Sequence, residues 1–210
     1  MTLQSEETVI RELNAMGAVT VRPDLPARIR DAIRRDAPLE HFELETPIGP
    51  VHVASGPDGI VAVSRVDDPV DFAQWMRSRR GRETVPAAEV PGDLAARLRD
   101  ALAGRPAELR FDLSGLGEFE RAVLLKALEI PRGEIRTYGW IAREIGRPLA
   151  VRAVGTALAH NPIPLFIPCH RVVRTDGRIG HYGAGGPSAK RRLLAHEGVD
   201  VSVLGEMATA

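Results

Sequence analysis

Pro162, Pro164 and Pro168 punctuate the otherwise apolar stretch Asn161-Pro162-Ile163-Pro164-Leu165-Phe166-Ile167-Pro168-Cys169-His170-Arg171-Val172-Val173. Proline fixes φ and lacks the backbone N–H, so this stretch can be neither a helix nor a central strand. It must be a stiff wall with a fixed path. The wall ends at Cys169, the only cysteine among 210 residues. A free cysteine usually acts as a small buried hydrophobe. Burial in apolar surroundings raises a thiol pKa and makes the thiol inert. A reactive Cys169 therefore needs a base. His170 is adjacent in sequence, and the later Leu193-Leu194-Ala195-His196-Glu197-Gly198 offers a carboxylate, Glu197, to orient or polarise it. Thiol, imidazole and carboxylate together are the pattern of an activated nucleophile.

Composition narrows the class. Apolar residues make up 44% and charged residues 27%, values of a globular protein able to bury a core. One cysteine can form no internal disulfide and no Cys-rich zinc site, which points to a reducing compartment. The opening Met1-Thr2-Leu3-Gln4-Ser5-Glu6-Glu7 lacks a signal-peptide pattern, and no apolar run is long enough to span a membrane. The expected location is cytoplasmic, at the nucleoid in a bacterial cell. Net charge is zero overall, yet residues 117–200 hold 13 Lys and Arg against 8 Asp and Glu, while residues 1–116 hold 15 against 19. A basic half joined to an acidic half fits either a polyanion-binding face or ordinary charge scatter.

Periodicity divides the chain. Residues 6–16 and 25–35 read as short helices of an N-terminal extension covering 1–40. Residues 41–66 read as three strands of an antiparallel meander, turning at Pro47-Ile48-Gly49-Pro50 and Gly56-Pro57-Asp58-Gly59. Helices are expected at 71–79 and Gly92–Leu102, and a further strand at 108–113. Ser114-Gly115-Leu116-Gly117 is the expected domain boundary. The fold class is α/β (α+β): a small N-terminal antiparallel-sheet-plus-helix domain over 41–114, then a mainly helical domain over 115–202, with a tail at 203–210.

Within the second domain, Glu118–Leu128 reads as helix. Thr137 is a plausible N-cap for 138–145, which Gly146 ends, and Pro148 opens a helix running to about His160. Two short helices joined by a Gly-containing turn form a helix-turn-helix. In the second helix Val151, Val154 and Leu158 should point inward. Arg152, Gly155, Thr156 and Ala159 share the other side: one long cation on an otherwise smooth face. That face could approach another backbone closely, or Arg152 could simply be solvated.

These segments resemble the O6-alkylguanine-DNA alkyltransferases, also called methylated-DNA–protein-cysteine methyltransferases. The resemblance rests on Ile167-Pro168-Cys169-His170-Arg171-Val172-Val173, on Val151-Arg152-Ala153-Val154-Gly155 leading to Asn161-Pro162-Ile163-Pro164, on Pro131-Arg132-Gly133-Glu134 with Thr137-Tyr138-Gly139, and on Leu193-Leu194-Ala195-His196-Glu197-Gly198. It covers residues 117–199 in order and spacing. Residues 41–114 fit the family's N-terminal domain in outline only, and residues 1–40 fall outside it.

The resemblance implies a reaction. An O6-alkylated guanine, with O4-alkylthymine as a second candidate lesion, leaves the duplex for a pocket, because the alkyl group cannot be reached inside the stack. Cys169 takes the alkyl group once and irreversibly. His170, through a water held by Glu197, accepts the thiol proton. Arg152 fills the vacated space, Tyr138 presses on the flanking phosphate and supplies a proton to the leaving purine, and Gly155, Thr156 and Ala159 enter the minor groove. Asn161 ties the recognition helix to the cysteine loop. Val172 and Gly183 supply backbone groups to the base, and Tyr182 and Pro164 line the pocket. The partner is double-stranded DNA containing the lesion, with no cofactor, no membrane and no obligate protein partner.

Two departures and two rivals stand beside this reading. The loop from Tyr182 to Leu193-Leu194 is one residue longer than the family's spacing, which bears on alkyl-group preference. Some members bind zinc through N-terminal Cys and His; with Cys169 alone no metal is expected, and His41 and His52 read as strand surface residues. The rivals are a non-repairing lesion recogniser, against which the cysteine argues, and a Cys-His hydrolase, which would turn over.

Overall fold

In a computed structural model, residues 38–65, 69–89 and 92–205 are described. The helices expected over 6–16 and 25–35 lie outside these residues, as does the end of the 203–210 tail. Strands Leu39–Leu44 (β1), Val51–Gly56 (β2) and Gly59–Ser64 (β3) form the expected antiparallel meander, with Phe42 opposite Val53 and Val53 opposite Val63. A fourth strand, Thr84–Pro86 (β4), pairs parallel with β1, giving the order β3-β2-β1-β4. Periodicity could not reveal β4: it has three residues and contains Pro86, which only an edge position tolerates.

The two faces of this sheet bury different things. Phe42, Val53 and Val63 enter a core shared with Val123, Leu124, Ile141, Val154 and Ile167 of the C-terminal half. Leu39, Ala54 and Ala62 on the other face pack under helix Pro69–Arg80 (α1), through its Phe72 and Met76. That helix covers His41 and His52, which are 4% and 3% exposed, so the expectation of strand surface residues is corrected. Phe72 stacks on His52 at 5.2 Å between ring centroids and lies 5.3 Å from His41. Among the described residues no group of three or more His, Cys, Asp and Glu could hold a metal ion.

Helix Gly92–Leu102 (α2) has the expected bounds. The strand expected at 108–113 is instead one bridge from Phe111 to Ile60, flanked by Ile60 N–H to Arg110 O (2.9 Å) and Asp112 N–H to Ile60 O (2.8 Å). Further along the same edge of β3, the Val63 N–H donates to Pro162 O at 2.8 Å. The sheet edge is thereby covered, as a free edge needs to be, and the start of the proline wall is pinned to the sheet.

Helix Glu118–Leu128 (α3) leads to a two-stranded parallel pairing of Arg136–Thr137 (β5) with Val172–Val173 (β6). Thr137 caps helix Tyr138–Glu144 (α4), its Oγ1 accepting from Trp140 N–H at 3.1 Å. Gly146, at φ +70°, follows α4. The next helix is Val151–Ala159 (α5), shorter than expected because Pro148 lies in the preceding turn. Helix Gly186–His196 (α6) closes the domain. Among the described residues no helix is long and apolar enough to cross a membrane.

Candidate active site

The proline wall behaves as its chemistry requires. It crosses the core with Ile163 and Ile167 fully buried and ends in a single 3-10 turn, Cys169–Arg171. Leu165 sits at φ +76°, the left-handed region, closed by Ile167 N–H to Ile163 O at 3.0 Å. A side chain there costs about 1–2 kcal/mol, strain of the kind that gathers at functional segments.

Cys169 is 5% exposed, and burial pushes its thiol above the ordinary range. Asn161 counters this. Its Nδ2 donates both to Cys169 Sγ at 3.1 Å and to Ile167 O at 2.9 Å, while its Oδ1 accepts from Ile163 N–H at 3.0 Å. One side chain at the end of α5 thus grips the wall on both sides of the cysteine.

His170 is 1% exposed, and burial lowers its pKa. Its Nε2 meets Glu197 Oε1 directly at 2.9 Å. Glu197 also accepts from Arg171 Nε and Nη2, both at 2.8 Å. Against the desolvation that opposes it, contacts to His170 and Arg171 hold the carboxyl down at about 2. An ionised Glu197 accepts only, so Nε2 carries the proton and Nδ1 keeps a bare lone pair. Nδ1 is buried and has no hydrogen-bond partner among the described residues. Glu197 therefore orients the imidazole directly, through Nε2. Arg171 completes the grip through Nη1 on Ile130 O at 2.6 Å.

A groove of about 730 Å³ is lined by Tyr138, Val151, Arg152, Gly155, Thr156 and Ala159, together with Arg174–Asp176, Gly180 and His181. The parallel β5–β6 register, Arg136 with Val172 and Thr137 with Val173, carries the chain into Tyr138 at the head of α4, which shares the groove with Arg174. Burial and the nearby Cys169 both raise the Tyr138 phenol pKa. The smooth face of α5 is as expected, with Arg152, Thr156 and Ala159 exposed. Val151 is 38% exposed and belongs to the groove, and Ala157 takes the inward place beside Val154 and Leu158.

A sequence profile described as 6-O-methylguanine DNA methyltransferase, DNA binding domain, matches residues 118–199. The methylated-DNA–protein-cysteine methyltransferase of Mus musculus is 35% identical over 173 residues, covering 77% of this chain and 82% of its own length. That of Mycolicibacterium paratuberculosis is 38% identical over 160 residues, covering 76% and 92%. The chain belongs to the methylated-DNA–protein-cysteine methyltransferase family. The crystal structure of Mycobacterium tuberculosis OGT in complex with DNA superposes at a TM-score of 0.63, with 31% identity over 79% of this chain and 98% of that one.

For a methyltransferase of this family, not every residue expected from sequence converges. Pro164 and Gly183 line a different groove, of about 640 Å³, with Trp75, Arg79, Arg80 and Glu120. Tyr182 is 5% exposed and edge-on to His170 at 6.2 Å. The Val172 carbonyl is already taken on one side, by a residue that sequence reasoning missed. Lys190 of α6 is fully buried and donates from Nζ to Val172 O at 2.5 Å. Its neighbours Arg191 and Arg192 make it read as one of a solvated basic run. Its seven-residue spacing to Glu197 is two helical turns, the one signal that could have put it on the active-site side.

Proposed function

We propose that this chain repairs alkylated DNA directly, by moving the alkyl group of an extruded O6-alkylguanine onto Cys169 in a single irreversible event. The carrying observation is the sole cysteine, buried, with Asn161 Nδ2 at 3.1 Å from its sulfur and an imidazole of fixed tautomer beside it. His170 Nδ1 takes the thiol proton through one bridging water. The sulfur forms a bond to the alkyl carbon, the C–O6 bond breaks, and its electron pair stays on the purine. The Tyr138 hydroxyl gives that purine a proton. The anionic Glu197 holds the resulting imidazolium, and the proton need go no further, since the protein acts once.

Delivery follows from α5. The target carbon is out of reach inside a stacked duplex, so the nucleotide must be extruded. Gly155, Thr156 and Ala159 let the helix approach the minor groove, and Arg152 fills the gap left in the stack. Residues 41–114 act as a buttress that pins the proline wall, and residues 115–202 carry both DNA recognition and transfer. A thiol that must stay free belongs in a reducing compartment, the cytoplasm.

The test is intact mass after incubation with a duplex bearing O6-methylguanine. One CH₂ equivalent is gained per chain and maps to Cys169, and Cys169→Ser gains none. Repeated turnover with an unmodified protein would instead support a Cys-His hydrolase.

A further inference from the structure

Lys190 is one of only two lysines in the chain, and its position is costly. Its side chain is fully buried, and among the described residues no carboxylate pairs with it. Its contacts are the Val172 carbonyl at 2.5 Å and the face of the Tyr138 ring, 5.8 Å from Nζ to the centroid. A buried ammonium without a carboxylate is strongly disfavoured, and a similarly shaped apolar side chain would fill the space at lower cost. Packing therefore does not account for it. What surrounds it does: the site must hold a thiolate and then a displaced purine anion, and nearby charge is worth most where water is excluded.

We propose that Lys190 is the counter-cation of alkyl transfer: its ammonium, anchored on Val172 O against the Tyr138 ring, stabilises the Cys169 thiolate and then the negative charge that develops on the displaced purine before Tyr138 protonates it, while keeping its own proton. This rests on Cys169 being the alkyl acceptor. The bonds made and broken are those of the transfer itself.

The charge couplings agree with the geometry. Cys169 raises the pKa of Lys190 and Lys190 lowers that of Cys169, each against burial. Burial is the larger effect on the ammonium, bringing it down to about 8. The titratable groups facing Lys190 are Cys169 and His170 from the 3-10 turn and Tyr138 from α4. The pKa of His170 lies below its ordinary 6.5, and that of Tyr138 above its ordinary 10. A loss of rate near pH 8 thus belongs to neither.

The experiment follows single-turnover transfer from free O6-benzylguanine between pH 5.5 and 10, by intact mass, which removes DNA binding from the measurement. For the wild type the expected profile rises as His170 becomes neutral and falls with a midpoint near 8 as Lys190 loses its charge. A rate that holds or climbs through pH 10, as the thiol ionises, overturns the proposal. Lys190→Met is expected to keep an unchanged or higher Tm, to lose at least tenfold in rate at pH 7, and to lose the falling limb. In that variant the thiolate absorbance of the single cysteine should appear at higher pH than in the wild type. A rate within twofold of wild type, or an unmoved thiolate midpoint, also overturns it. Should Lys190→Met not fold, the wild-type profile alone decides. No adduct on the wild type at any pH defeats the alkyl-acceptor reading instead, which keeps the two failures apart.

Discussion

At the scale of single residues the site hangs on Glu197, which fixes both the His170 tautomer and the Arg171 guanidinium. Its folded pKa of about 2 lies below the ordinary 4.5. The unfolded chain therefore binds the proton more readily, and the contribution to stability is complete above pH 4.5 and lost as pH falls towards 2. Glu197→Gln removes that contribution, leaves Arg171 without its anion, and frees the imidazole to flip. Transfer should slow about 100-fold, stability should drop by about 3 kcal/mol, and DNA binding should be kept. A variant whose acid unfolding between pH 4.5 and 2 matched the wild type would show that Glu197 is not the residue titrating there. Gly180 makes a similar point about Tyr138. It has φ +76°, and a Cβ built on it would lie 2.9 Å from Tyr138 Oη. Gly180→Ala should displace the hydroxyl and slow alkyl transfer while leaving iodoacetamide labelling of Cys169 unchanged; equal loss in both assays would place the damage in the cysteine turn. Cys169, His170 and Glu197 were legible because reactive residue types are few and their segments distinctive. Lys190 was not, because a lysine beside two arginines on a helix looks solvated until the fold turns it inward.

Among the elements, the helix-turn-helix was legible from caps and breakers: Thr137 before α4, Gly146 after it, and Asn161-Pro162 beyond α5. What periodicity misjudged was context. Val151 has the spacing of a core residue, yet the first turn of α5 projects beyond the core into the groove. The segment 108–113 has strand-like residues, but β3 offers it only the Ile60 bridge before Pro162 takes the next edge position at Val63. The smooth face of α5 leads to a prediction about division of labour. Arg152 is exposed and, among the described residues, has no ion-pair or hydrogen-bond partner through its guanidinium. Nothing in the fold or the thiol depends on its charge. Arg152→Ala should transfer from free O6-benzylguanine at the wild-type rate and lose at least tenfold on a lesion-bearing duplex. Parallel loss on both substrates would remove α5 from extrusion and make Arg152 part of the pocket.

At the scale of the whole molecule the sheet serves two cores, one on each of its faces. The larger contains Cys169 and the wall; the smaller lies under α1 and holds His41 and His52 among Phe72 and Met76. Both ring nitrogens of His41 are buried without a hydrogen-bond partner among the described residues, and burial, then the neighbouring His52, lower its pKa from 6.5. A base whose folded pKa is depressed binds its proton more readily when unfolded. The fold is then most secure above pH 6.5 and loses stability as pH falls through and below that value. An apolar side chain at this position escapes both penalties, the unsatisfied nitrogens at any pH and the proton in acid. His41→Leu should therefore stabilise the protein by about 1–2 kcal/mol at pH 8 and by more at pH 5, read as the shift in urea midpoint. Since the smaller core shares no side chain with the cysteine turn, the single-turnover rate at pH 7.5 should stay within twofold of wild type. A gain in stability that is the same at both pH values would mean His41 is not the group titrating in acid. A gain accompanied by slower transfer would mean that strain passes through the sheet to the Val63–Pro162 bond, and that the N-terminal half governs the position of the wall as well as supporting it.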